Sequence, residues 1–141
     1  TYSGGSSATG YGVPLYYGSQ LYKTVDLSAD PGLVRDILER AGGGSDGVWI
    51  VMFGATWCSH CHAMHEFFSQ KYSDIYRVLW VNTDANASKL FDRLADIEQK
   101  SGAWEVVDAF PHILVIKNGT AHAIVVGKVK DENFWRSLIG Y

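Results

Sequence analysis

The chain contains two cysteines, Cys58 and Cys61, three positions apart in the stretch Trp57-Cys58-Ser59-His60-Cys61. The stretch follows a continuous apolar run and opens what reads as a helix. A thiolate is the nucleophile of disulfide exchange, and the unpaired N–H groups and dipole of a helix N-terminus favour negative charge. Two thiols one turn apart can attack a foreign disulfide in succession. The pair is therefore a redox candidate. Cys58 is the expected nucleophile, drawn by the helix start and by His60 toward the roughly 3.5–7.5 pKa range of activated thiols. Cys61, further inside, is the resolving thiol. A stabilised thiolate favours the dithiol form and makes the couple more oxidising, so Ser59 and His60 between the cysteines are the residues expected to tune it.

Other chemistry fits the same residues. Cys58-Ser59-His60-Cys61-His62 satisfies the Cys-x-x-Cys-His signature of c-type haem attachment. Cys58, Cys61, His62 and His65 are also four soft or borderline metal ligands within eight residues. A haem needs a cavity built around the motif, whereas the apolar segments on either side predict a filled sheet core. On a helix starting at Cys58, Cys61 turns partly away from His62 and His65. Two ordinary buried cysteines are the bland alternative, and His112 and His122 read as hairpin surface residues. A module that holds a metal or docks a partner through Cys58, Cys61 and the nearby histidines stands as the alternative to exchange chemistry.

Positioning such a pair takes a packed domain, and 141 residues at 47% hydrophobic content suffice for one. Twelve basic and fifteen acidic residues give a formal charge of −3, no electrostatic footprint for nucleic acid or an anionic membrane. No apolar stretch approaches the roughly 18–20 residues that span a bilayer. Residues 1–12 are Gly, Ser, Thr and Tyr with little apolar periodicity, which predicts a flexible arm. Residues 13–25 have enough bulk to lie on the domain and to end in a short strand, so the arm is set at 1–25 and the domain at 26–141.

Asp30 is a candidate N-cap and Pro31 suits a first helical position, followed by the stripe Leu33, Val34, Ile37, Leu38 and Ala41. This helix ends at the glycines 42–44. Val48 to Phe53 reads as a central strand buried on both faces, residues 58–70 as a helix, and Arg77 to Asn82 as a second buried strand. Asn86 is a candidate cap for a helix carrying Leu90, Phe91, Leu94 and Ile97. Ile113–Ile116, the turn Asn118-Gly119 and Ala121–Val126 predict a type I′ hairpin. Asp131 caps a last helix carrying Phe134, Trp135, Leu138 and Ile139. This order predicts an α/β fold, a mixed central sheet of four to five strands with helices on both faces.

A Trp-Cys-x-x-Cys at a strand-to-helix junction, a lone proline about 50 residues later and an Asn-Gly hairpin ending in Gly127 together resemble the thioredoxin superfamily, over residues 26–141. The resemblance implies a thioredoxin fold and a thiol–disulfide oxidoreductase. It needs no cofactor beyond the Cys58–Cys61 disulfide, and no metal. It implies that Pro111 is cis and faces the cysteines, that substrate backbone pairs with Phe110, and that Trp57 offers an apolar surface to substrates. Two departures stand out. The position of thioredoxin's buried Asp, six residues before the first cysteine, holds Met52, and its Lys neighbour aligns with Trp80. The internal proton relay of the family is thus missing, and His65 and Glu66 are the nearest replacements in sequence. Glu66 also stands where thioredoxin has a helix-kinking proline.

His60 before the second cysteine resembles the disulfide-forming branches of the superfamily, protein disulfide isomerase and the periplasmic oxidant. This predicts a lean to oxidase or isomerase work, or to an extracytoplasmic reductase, over a general thioredoxin. The chain starts at Thr1 with a Gly/Ser/Tyr arm resembling a tether after a removed signal or anchor. That tilts the expected location to the periplasm or another secretory-type compartment, with a membrane tether outside the chain. Expected partners are protein substrates carrying thiols or disulfides and an upstream redox protein, with no nucleic acid.

Overall fold

The Val48-to-Phe53 run leaves no polar face, so it must lie between two layers, and the computed structural model places it there. The model describes residues 12–42, 44, 46–72, 77–83 and 88–140. Among these, the strands are β1 (Gly12–Tyr17), β2 (Gln20–Asp26), β3 (Val48–Gly54), β4 (Arg77–Asn82), β5 (His112–Lys117) and β6 (Thr120–Val126). The helices are α1 (Leu33–Ala41), α2 (Ser59–Tyr72), α3 (Ser88–Lys100) and α4 (Glu132–Ile139). One mixed sheet runs in the order β2-β1-β6-β5-β3-β4. β3 is parallel to β4 and antiparallel to β5.

Among the described residues the sheet has six strands, not four to five. The addition is the hairpin β1–β2, turned at Gly18 with φ 65°, whose first strand joins β6 in parallel. Its hydrophobic signal is weak because β2 is an edge: Val25 is buried while Leu21 is 63% exposed. Of the arm expected over 1–25, residues 1–11 lie outside the described residues, and 12–25 lie within this hairpin. The candidate cap Asn86 is also outside the described residues.

Helices cover both faces. On one, Leu33, Ile37 and Leu38 of α1 and Phe91, Leu94 and Ile97 of α3 pack on Trp49, Val51 and Phe53. On the other, Met64, Phe67 and Phe68 of α2 and Trp135 and Ile139 of α4 pack on Ile50, Met52, Ile113 and Val115. Odd and even residues of β3 thus supply the two cores, as the alternation of side chains along a strand requires. Phe68 meets Trp135 edge-on at 5.0 Å, and Trp135 Nε1–H donates to the Val129 carbonyl at 2.7 Å. This anchors α2, the helix that starts at the cysteines.

Local signals mostly hold. Asn118 and Gly119, at φ 51° and 83°, are both left-handed, as a type I′ turn demands. Asp131 accepts from the amides of Asn133 and Phe134 and caps α4. Asp30 does not cap α1: Gly32 holds that place with no side-chain bond. Its carboxylate instead accepts from Arg93 Nε and an Arg93 terminal nitrogen at 2.7 and 2.8 Å, a two-pronged charge-assisted pair. No described helix is long and apolar enough to cross a membrane.

Candidate active site

β3 carries the chain from the sheet centre to its end, where Ala55-Thr56-Trp57 turns it into α2. The Cys58 amide donates to the Ala55 carbonyl at 3.0 Å, closing that turn. Since α2 starts at Ser59, Cys58 occupies the N-cap position. Its Sγ accepts from the Cys61 amide at 3.2 Å, the bond to the third helical residue that a Ser or Asp cap would make. No acidic residue lies in the first turn of α2, so no carboxylate there opposes negative charge on the sulfur.

Cys58 and Cys61 are joined as a disulfide, with Cα atoms 5.3 Å apart. Cys61 is fully buried and Cys58 is 7% exposed. The first cysteine thus keeps a small exposed surface and the second none. Ser59 and His60 are exposed on the first helical turn.

The Phe110–Pro111 peptide bond is cis, and Pro111 is buried. Its carbonyl accepts from the Gly127 amide at 2.9 Å, tying the loop to the end of β6. Phe110 is half-buried and packs against both cores. Its ring meets Trp57 edge-on at 6.0 Å and Phe91 at 5.2 Å. Trp57, next to Cys58 in the chain, is 72% exposed. Trp57 and Phe110 thus form an apolar ledge that continues from the cysteine turn.

Behind the disulfide, Gly54 makes room for Cys61: a Cβ on it would stand 3.0 Å from Cys61 Cβ and 3.2 Å from Trp80 Cζ2. Trp80 in turn carries two imidazoles, His62 at 5.1 Å and His65 at 5.5 Å between ring centroids. His62 Nε2 donates to the Thr56 carbonyl at 2.9 Å and ties α2 to the turn before it. Sequence reasoning missed this cluster, whose signal was an aromatic residue on β4 facing histidines one helical turn apart. Among the described residues no three His, Cys, Asp or Glu side chains gather as a metal-holding group.

The thioredoxin family model matches residues 37–139, from α1 to the end of α4. The chain belongs to the thioredoxin family. It is a thiol–disulfide oxidoreductase with Cys58 and Cys61 as its cysteine pair. Similar solved structures include thioredoxin O2 of Arabidopsis thaliana in the oxidized state, 19% identical, covering 90% of this chain and 92% of that one at a TM-score of 0.49. Fasciola hepatica thioredoxin is 22% identical, with coverage of 75% and 91% and a TM-score of 0.46. Malassezia sympodialis thioredoxin is 26% identical, with coverage of 74% and 82% and a TM-score of 0.45. No curated protein sequence matches the chain.

Within this thioredoxin-family frame, Met52 and Trp80 are register partners on β3 and β4. Met52 is fully buried in the core that holds Cys61. The two positions that bear acid and base in thioredoxin are therefore neighbours here, and both are apolar. Glu66 is exposed and His65 half-buried against Trp80. His122 is exposed, with its Nε2 donating to the Leu138 carbonyl at 2.7 Å. His112 is not a surface residue: it is fully buried and bonded to Glu98, itself fully buried. The hairpin pattern suggested exposure because His112 opens β5, yet α3 covers that end of the strand.

Proposed function

We propose that the protein exchanges disulfides with protein substrates through nucleophilic attack by Cys58. The carrying observation is the Cys58 sulfur at the N-cap of α2, accepting the Cys61 amide at 3.2 Å. In the reducing direction the Cys58 thiolate attacks one substrate sulfur, the substrate S–S bond breaks, and the departing sulfur takes a proton. Cys61 then loses its proton and attacks Cys58 Sγ; the Cys58–Cys61 disulfide forms, the mixed disulfide between Cys58 and substrate breaks, and the released substrate sulfur takes a proton. Two electrons have passed to the substrate. In the oxidising direction the same steps run backward from the disulfide form.

Trp57, Phe110 and Pro111 are the substrate-docking residues of this reading, supported by the apolar ledge that Trp57 and Phe110 build beside Cys58. Ser59 and His60 set the potential, and His60 gives the lean toward oxidase or isomerase work. The Gly/Ser/Tyr arm supports an extracytoplasmic setting, where an upstream redox protein resets the pair. Insulin-disulfide turnover tests the proposal. The protein should catalyse it and Cys58→Ser should abolish it, whereas activity surviving that change would refute the assignment.

A further inference from the structure

Glu98 and His112 are the only fully buried Asp, Glu, Lys, Arg or His residues among the described residues. A pair like this is weak evidence for stability, since well-packed apolar residues of similar volume often serve as well or better. Here the pair also leaves Glu98 Oε2 buried with no hydrogen-bond partner, an unfavourable state in a low-dielectric core. Its geometry points to what it holds instead. His112 Nδ1 lies 2.6 Å from the Ala109 carbonyl. A carbonyl only accepts, so Nδ1 carries a proton. His112 Nε2 lies 2.9 Å from Glu98 Oε1, and that link holds one more proton, on one partner or the other. The imidazole thus bridges α3 to the residue just before Phe110.

Phe110 packs around this bridge, with ring centroids 6.3 Å from His112 and 5.2 Å from Phe91. The pair does not replace the missing proton relay. His112 is the register partner of Phe53, which faces the core of α1 and α3, whereas Ile113 and Met52 face the core that holds Cys61. The sheet separates the pair from the buried sulfur.

We propose that Glu98 and His112 are positioning residues. They fix the segment Ala109–Pro111 so that Phe110 presents a preformed edge to a peptide substrate, and they leave the cysteine chemistry untouched. This rests on the exchange reading above.

The test compares wild-type protein, Glu98→Leu/His112→Leu, which removes both polar groups together, and Glu98→Gln, whose amide N–H can still donate to His112 Nε2. Each is assayed on insulin disulfide and on 5,5′-dithiobis(2-nitrobenzoic acid), a small disulfide without peptide backbone. The expected result for the double variant is a KM for insulin raised about tenfold, kcat within twofold and an unchanged rate with the small disulfide, because loss of preorganisation acts on binding. Glu98→Gln should remain close to wild type. A double variant with wild-type KM, or one that loses both substrates in parallel, overturns the inference while leaving exchange intact. Wild-type protein inert toward both substrates overturns the exchange reading, and this inference with it.

Discussion

Gly54 and Cys61 are in near contact: a Cβ at Gly54 would stand 3.0 Å from Cys61 Cβ and 3.1 Å from its Sγ. The glycine is needed for closeness and not for a special backbone angle. Gly54→Ala should push the start of α2 off β3, costing about 1–3 kcal/mol of stability by overpacking and slowing insulin reduction roughly tenfold or more through displaced sulfurs. Urea unfolding alongside the turnover assay checks both effects, and full activity in the variant would show that the contact relaxes freely.

Met52 lies where a proton acceptor for Cys61 would stand. Met52→Asp should speed release of mixed disulfides at neutral pH by about tenfold, below the roughly 10²–10⁴ of an evolved acid–base group. The same change should lower the thermal midpoint, since a carboxyl is placed in an apolar core. Stopped-flow turnover across pH 6–9 reads the first effect and a thermal melt the second.

Arg93 joins Asp30 and Asp36 with contacts of 2.7–2.8 Å. The Arg93 bond holds the Asp30 carboxyl below its ordinary value of 3.8. A carboxyl lowered on folding stabilises the protein above its unfolded pKa and loses that contribution as pH falls through the folded value. The contribution should therefore fade below about pH 4 and be constant at neutral pH. Because these side chains are about one-third exposed, Arg93→Ala should cost only about 1–2 kcal/mol at pH 7. In urea melts the difference from wild type should shrink toward pH 2–3.

Asp131 caps α4 with bonds to two amides. Asp131→Ala should cost about 1 kcal/mol and leave insulin turnover unchanged, because the cap lies away from the sulfurs.

Much of this was legible in the chain because the signals were local. Val48 to Phe53, Arg77 to Asn82 and the Asn118-Gly119 hairpin have period and turn chemistry within a few residues, and the cysteine motif sits where β3 meets α2. What was missed depends on partners distant in sequence. Asp30 looks like a cap until Arg93, 63 residues on, takes its carboxylate. His112 looks like a hairpin-end residue until Glu98 of α3 closes over it. The β1–β2 hairpin has little periodicity because its edge strand buries almost nothing, and its pairing with β6 is read only from the sheet. Gly54 gave no periodic signal at all, since its role is the space it leaves for Cys61.

The proposed lean toward oxidase or isomerase work rests on His60, between the two cysteines. Replacing it with Pro should lower the Cys58–Cys61 potential by tens of millivolts, about 30 mV for each 1.4 kcal/mol of lost thiolate stabilisation. Equilibration with glutathione measures this, and the unsubstituted protein should lie clearly above thioredoxin itself, whose reference value is near −270 mV.

The most direct test of the account is covalent trapping. Reduced Cys61→Ser protein mixed with a disulfide-bonded peptide should accumulate a mixed disulfide, seen by mass spectrometry as a thiol-sensitive adduct on Cys58. Reduced Cys58→Ser protein, whose remaining sulfur is buried, should form little. Adduct on Cys61 at a comparable rate, or none on Cys58, would contradict the assignment of Cys58 as the nucleophile.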